Sequence, residues 1–484
     1  MTSPAPTPEP GPRLPHGHAP ALILLTAVWL VQVGTATRTY RDWWFEDDTP
    51  HLVFVRDNPA PLGYFLDKDL VHKLSLGHAV TPWFPFTFWV DRQVDPLSPR
   101  TAYLHTAVSL LATAFLLYFL MARFTDRLHA LAMVSVWLWL PSTVVITEFL
   151  STRHYLEGLA FSAASLLAAQ KAVRQESYPY FWFSAIFYLL ACTAKEVYVS
   201  TTLVLLLGYY LLRRRFSAMA AMFGCGLLYA GYRFWALGLV GKNLSGAFLE
   251  DYHLFLARLP YILTGNLGGY LLFAAGIAVC VALWRAGKLS ATAGCWFLAN
   301  IGVALLTIFP VTANITHQYR ELGTWYRVVF LSNTLFLASL AWPFFRLAKP
   351  KLSLAFFLAA AACAVWGGWR TAERWDHLKA EYFTDARFYC DHPDRLLFSS
   401  LPAPWFLWGV HHLYQDGLPM HYLSWRVDNG TPKDYVLART EQYREIWVKD
   451  RDGYRADSEL ISLIRWNCLQ GITPLNKPRQ PTPE

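Results

Sequence analysis

The chain has 484 residues, of which 54% are hydrophobic and only 16% charged, with a formal net charge of +8 and a mean hydropathy of +0.25. A soluble enzyme of this size carries about a quarter charged residues, so the composition argues against a soluble fold. The positive balance lies in loops beside apolar stretches, with neither zinc spacing nor an aromatic-interleaved basic patch, which argues against nucleic acid as a partner.

In chain order, residues 1–18 are Pro-rich and read as a disordered N-terminus. Apolar stretches long enough to cross a bilayer follow near 19–37, 101–122, 128–147, 155–172, 179–194, 197–212, 217–240, 266–284, 289–309, 326–345 and 352–369. The expected fold is therefore an all-α polytopic membrane protein of about eleven spans, with a transmembrane domain over 19–369. Lys195-Glu196 divides two short stretches, and a hairpin there keeps the pair out of lipid. No small-residue cleavage site precedes a soluble domain, so the first stretch reads as an anchor.

Alternate loops carry Arg123 and Arg127, Lys171 and Arg174, Arg213 to Arg215, Arg285 and Lys288, then Arg346, Lys349 and Lys351. Positive loops face the cytoplasm. The N-terminus then lies inside a plasma (inner) membrane. The long loop 38–100, the turn Glu148 to His154, the Lys195-Glu196 tip, 241–265, 310–325 and the tail after Trp369 lie outside. The tail reads as a small α/β or irregular domain over 370–475, ending in a disordered 476–484. Five cysteines fall in apolar stretches, whereas Cys390 and Cys468 lie in the tail, where an outer compartment supports a disulfide between them.

The first outer loop opens with Phe45-Glu46-Asp47-Asp48-Thr49-Pro50-His51. Lipid anchors at a membrane exit are Trp, Tyr, Lys or Arg, not three adjacent acids. Acid beside acid raises at least one pKa, as a general base or metal ligand often requires. A solvated acidic loop is the plainer reading. Further on, Trp83-Phe84-Pro85-Phe86-Thr87-Phe88-Trp89 reads as an interfacial aromatic anchor or a sugar-stacking platform.

The order of these features resembles the GT-C superfamily of membrane glycosyltransferases that use polyprenyl-phosphate sugars, nearest to bacterial relatives of the O-mannosyltransferases with transmembrane and TPR regions. The resemblance rests on Trp44-Phe45-Glu46-Asp47-Asp48, on Trp83-Phe84-Pro85-Phe86 leading to Tyr103-Leu104-His105, on Pro141 followed by Arg153, on Lys195-Glu196 and on Trp325-Tyr326-Arg327. It covers about residues 20–345; TPR repeats are missing, and the places soon after Pro141 where the branch has His and Glu are apolar.

The resemblance implies inverting transfer from a polyprenyl-phosphate-linked sugar to a hydroxyl of a glycan, lipid or protein acceptor. Asp48, with Asp47, would be the base; Arg153, Lys195 and Arg327, with Arg320 in reserve, would hold donor phosphate. Glu46, Glu148, Glu196, His105 and His154 would support them, with His51 as a further proton carrier. Asp47 and Asp48 are the donors for Mg²⁺ or Mn²⁺ if a metal takes part. A lipid or glycan transporter would instead show mid-span polar residues, broken helices and repeats. A non-enzymatic envelope scaffold would explain the tail but leave the acids and cations on one face without a role.

Overall fold

The computed structural model describes residues 17–36, 43–75, 80–238, 260–288, 329–345, 350–399, 401, 405–424, 433–450 and 453–469. It is a mostly helical, polytopic membrane protein. An apolar α1 (Ala19–Ala36) precedes four short helices in the first loop: α2 (Asp48–Asp57), α3 (Gly63–Leu66), α4 (Lys68–Ser75) and α5 (Trp83–Val94). Next comes α6 (Pro99–Met121), then α7 (Arg127–Leu138) and α8 (Pro141–Glu148), a 3₁₀ turn over Leu150–Thr152, and α9 (Arg153–Gln175). The bundle continues through α10 (Tyr178–Ala194), α11 (Val197–Leu212), α12 (Phe216–Leu237), α13 (Gly268–Arg285), α14 (Phe330–Phe345) and α15 (Pro350–Asp391).

Among the described residues, four helices are long and apolar enough to cross a membrane: α1, α6, α13 and α15. The pair α7 and α8 makes a fifth if its 58° bend lies within one span. The stretch 128–147, expected as one helix, is thus broken. Leu140 is extended (φ −59°, ψ 139°) because a residue before Pro avoids the helical region, and Pro141 starts α8 where its missing N–H costs nothing. Three more apolar helices, α10, α11 and α14, have only 16 or 17 residues. The expected 289–309 span lies outside the described residues, so about eleven spans is more than those residues display.

Two other expectations change. The aromatic segment 83–89 is no surface belt: it forms α5 and turns Phe84 and Phe88 into the main core, at 6% and 0% exposure. The last span does not stop at 369, since α15 runs for 42 residues. At 1.5 Å per residue that is about 63 Å, twice the hydrocarbon thickness, so the helix carries the chain across the expected domain boundary into the tail.

The tail is α/β. Strands β1 (Leu396–Ser399), β2 (Tyr422–Ser424), β3 (Ile446–Asp450) and β4 (Gly453–Asp457) lie in the order β2-β1-β3-β4. β1 pairs in parallel with β2 and β3, with Leu397 opposite Tyr422 and Trp447, and β3 and β4 form an antiparallel hairpin. All four β1 residues are buried, as a central parallel strand requires. Alternation along β1 divides the core: Leu396 and Phe398 join Val436 of α17 (Lys433–Gln442) and Ile461 and Ile464 of α18 (Ser458–Leu469), whereas Leu397 joins the membrane bundle.

Cys390, on the last turn of α15, is a free thiol packed on the bundle-side core. The side chain of Cys468, its expected disulfide partner, lies outside the described residues.

Between strands, the tail places α16 (Trp405–Tyr414) against α2. Only glycine allows this approach at 409, where an added Cβ would lie 2.4 Å from Thr49 Oγ1 and 2.7 Å from the Pro50 nitrogen. Thr49 Oγ1 donates to the Phe406 carbonyl at 2.9 Å and ties the two helices together. The tail is consequently part of the wall around the acidic motif.

Candidate functional site

The acidic motif is held by its aromatics. Phe45 is fully buried, with ring centroids 4.7 Å from Trp375, 4.6 Å from Tyr382 and 5.2 Å from Phe149. Trp44 Nε1 donates to Tyr414 Oη at 2.9 Å. The next residue, Glu46, adopts φ 36°, a left-handed backbone that costs a non-glycine residue about 1–3 kcal/mol and recurs at functional sites. Its carboxylate accepts from Tyr382 Oη at 3.3 Å.

Beyond that kink the two adjacent aspartates meet different surroundings. Asp48 begins α2 and is fully buried; one carboxylate oxygen accepts the Phe45 N–H at 2.9 Å, the other the Ser151 N–H at 2.8 Å. Asp48 thereby stitches the first loop to the 3₁₀ turn before α9. Asp47 is half-buried and accepts the Trp405 indole N–H at 2.8 Å. Of the two candidates, Asp48, the leading base in the sequence reading, is sealed in a structural role, and Asp47 presents the accessible carboxylate.

Burial pushes the Asp48 carboxyl up to about 7, with Asp47 adding to the rise and the two N–H donors and Lys379 opposing it. The ordinary value is 3.8, so the folded state holds this proton more tightly than the unfolded chain. Stability from this group is greatest at low pH and falls as pH rises between about 4 and about 7, by on the order of a few kcal/mol. Melting curves in detergent at pH 5.5 and 8.0 test this. The gap between wild type and Asp48→Asn should change by several degrees between the two pH values; a gap independent of pH would contradict it.

Beside Asp48 lies a second buried group. Glu148, fully buried at the end of α8, pairs with Lys379 of α15, which is 1% exposed. The Lys379 ammonium also lies 4.9 Å from the Tyr103 ring centroid, and Tyr103 Oη donates towards the Trp43 and Glu148 carbonyls at 3.2 and 3.3 Å.

A third cluster fills the space between α5, α6 and α9. Arg153 is fully buried, and its guanidinium donates to Asp91 at 2.6 Å and to the Ala102 carbonyl at 3.1 Å, with Glu157 at 3.6 Å. His105 bridges the same two acids, Nδ1 to Asp91 at 2.6 Å and Nε2 to Glu157 at 3.2 Å. The Trp83 indole donates to Glu157 at 2.7 Å. Burial pushes the Asp91 carboxyl up, but Arg153 and the His105 hydrogen bond outweigh it and hold the carboxyl below its ordinary value. A buried guanidinium needs such partners, and they occupy it: the phosphate-clamp role expected for Arg153 is not the role this geometry gives it.

The other candidates fall nearby. His154 packs between Phe84 and Tyr155, with centroids 4.8 and 4.6 Å away, and His51 meets Phe84 at 4.3 Å. Glu196 accepts the Val80 N–H at 3.0 Å and pairs with Arg233 at 2.9 Å. Lys195 is accordingly not neutralised by its neighbour; half-buried between α10 and α11, its ammonium stands 4.9 Å from the Tyr155 ring centroid. Arg320 and Arg327 lie outside the described residues.

The residues fit a divalent metal poorly. Both Asp48 oxygens are taken by N–H donors, Asp47 faces an indole, and no group of three or more His, Cys, Asp or Glu among the described residues has metal-ligating spacing. A hard cation needs about six oxygens, so no step here runs through one.

Sequence reasoning missed Asp91, Glu157, Lys379 and Trp405. One signal was present: Trp375, Lys379, Tyr382, Ala386 and Tyr389 follow the i, i+4, i+7 spacing of one helical face, and all are buried. Arg153 and Glu157 stand at i, i+4, which makes them neighbours on α9.

No family model matches the chain, and no curated protein matches it. The solved structures similar to it include two of ArnT from Cupriavidus metallidurans. The one bound to undecaprenyl phosphate is 16% identical, with 84% of this chain and 85% of that chain covered and a TM-score of 0.38. The apo state is 15% identical, with 89% and 92% covered and a TM-score of 0.41. Likeness at these levels carries no conclusion about the chemistry of this chain.

Proposed function

We propose that this chain is a membrane glycosyltransferase of the GT-C kind, which moves a hexose or pentose from a polyprenyl-phosphate carrier to an acceptor hydroxyl with inversion. The observation that carries the reading is the division of labour in the acidic motif. Asp48 is locked as a buried strut while the adjacent Asp47, which follows a strained Glu46, stays half-buried at the wall formed by α2 and α16.

In the proposed step the acceptor oxygen attacks the anomeric carbon and the bond from that carbon to the phosphate oxygen breaks. The electron pair leaves with polyprenyl phosphate, and Asp47 takes the hydroxyl proton. A carboxylate base of this kind contributes about 10²–10⁴-fold. Lys195 is the described cation best suited to the leaving phosphate, because Glu196 is committed to Arg233 and Glu148 to Lys379. Arg320 and Arg327 remain candidates for the same task. Trp405 orients Asp47, which makes the tail a contributor to catalysis. In this reading the Asp47 face is the outer face of the plasma membrane and the N-terminus is cytoplasmic.

The test is transfer by purified protein from undecaprenyl-phosphate-linked sugars to a panel of envelope glycan, lipid and peptide acceptors. Release of undecaprenyl phosphate that depends on both acceptor and Asp47 supports the reading. Facilitated movement of the lipid between leaflets, without glycosidic product, would replace it with transport.

A further inference from the structure

A cavity with a mixed lining lies far from the acidic motif. It opens at the other ends of α6, α9 and α10 and has a volume of about 610 Å³. Lys171 stands 18 residues after Arg153 on α9, about 27 Å along the axis, nearly a hydrocarbon thickness from the first site.

Its lining divides by chemistry. Arg123, Lys171 and Arg174 supply three exposed cations, and no lining side chain is acidic. The nearest acid in sequence, Glu176, is paired with Arg215. Lys171 is held over the Tyr180 ring, 4.0 Å from its centroid. Phe183 and Phe187, one turn apart on α10, form the apolar side, and Phe183 is 50% exposed. At the base lies Gln170, only 8% exposed, whose Oε1 has no hydrogen-bond partner among the described residues. A buried polar atom without a partner is costly; Gln170 lines a cavity large enough for a ligand, and a turn of its side chain brings Oε1 to a donor there.

We propose that this pocket binds the headgroup of an anionic glycerophospholipid. The phosphodiester sits among Arg123, Lys171 and Arg174, a headgroup hydroxyl donates to Gln170 Oε1, and an acyl chain lies along Phe183 and Phe187. Three features select this ligand together. Cations at a membrane edge attract anionic headgroups, the exposed Phe183 with the half-buried Phe187 on an apolar helix suits a chain better than water, and the lone acceptor of Gln170 asks for a donor. A soluble phosphate satisfies only the first.

Native mass spectrometry of the full-length protein, titrated with phosphatidylglycerol and phosphatidylcholine of equal chain length, tests this. Phosphatidylglycerol should bind at least about tenfold more tightly, and each of Arg123→Gln, Lys171→Gln and Arg174→Gln should cost about fivefold, the value of one cation near an anionic surface. The double variant Arg285→Gln/Lys288→Gln, which removes two exposed cations outside the pocket, should bind as wild type. Gln170→Ala should reduce preference for phosphatidylglycerol over its monomethyl phosphate counterpart, which lacks headgroup hydroxyls. Equal loss in the Arg285/Lys288 variant would show a non-specific basic belt. Displacement by glycerol phosphate at matched concentration would show a soluble phosphate ligand. Either result overturns the proposal.

Discussion

Asp47→Asn should lower sugar transfer by about 10²–10⁴-fold while leaving the melting temperature and donor affinity close to wild type. The amide keeps an oxygen for the Trp405 indole, so the contact that seats residue 47 survives. What it loses is the proton acceptor, which matters in the transition state and not in the bound ground state, so turnover should fall without a matching change in donor binding. Asp48→Asn should behave differently. Its carboxylate receives two backbone N–H groups in a fully buried site, and an amide can accept only one of them. The expected loss is in folded yield and melting temperature, with transfer per folded molecule much less affected. Purified variants assayed for donor binding, transfer and thermal melting separate the two. If Asp47→Asn transfers at the wild-type rate, Asp47 is not the base; if folded Asp48→Asn loses transfer as deeply, the role returns to Asp48.

Arg153→Met should destabilise the protein by about 3–5 kcal/mol, because it leaves buried carboxylates without their cation. Asp91 and Glu157 both face Arg153, and His105 alone would remain between them. Arg153→Lys keeps the charge but not the fork that reaches Asp91 and the Ala102 carbonyl together, and should fall between. Adding Asp91→Asn to Arg153→Met should recover part of the loss, since one orphaned charge is then removed. Folded yield and melting temperature in detergent are the readouts. A residue whose task was to grip donor phosphate would give the opposite pattern: normal melting with weak donor binding.

The sequence made the site's location more legible than its wiring. The loop charges put the acidic motif and the turn from Glu148 to His154 in one neighbourhood, and the Asp48 carboxylate does reach the Ser151 N–H in that turn, while Arg153 turns away to Asp91 and Glu157. What charge patterning cannot supply is pairing. Asp91 lies in an aromatic-rich stretch that resembles an interfacial anchor, and only the packing of α5 against α6 and α9 shows that it meets Arg153. Lys379 sits in a segment whose polar composition resembles a loop. Helical periodicity places it on the buried Trp375 and Tyr382 face, but its partner Glu148 is 231 residues away. The break at Pro141 was readable from local backbone rules. The tail read as either α/β or irregular, and only the pairing of four short strands shows that it is α/β.

The continuous α15 has a practical corollary for anyone wishing to cut, tag or graft this protein. Hydropathy puts a tempting seam after Trp369, but that point is mid-helix, with Trp375, Lys379 and Tyr382 still to come. A chain severed there would strand Glu148 in the bundle without its ammonium and strip Phe45 of two of its ring neighbours. Membrane and tail portions are thus a single mechanical piece, joined by a rigid shaft, and a tilt imposed on the tail is felt at the acidic motif. Exchanges between related chains should keep residues 350–391 whole and from the same parent as the first loop.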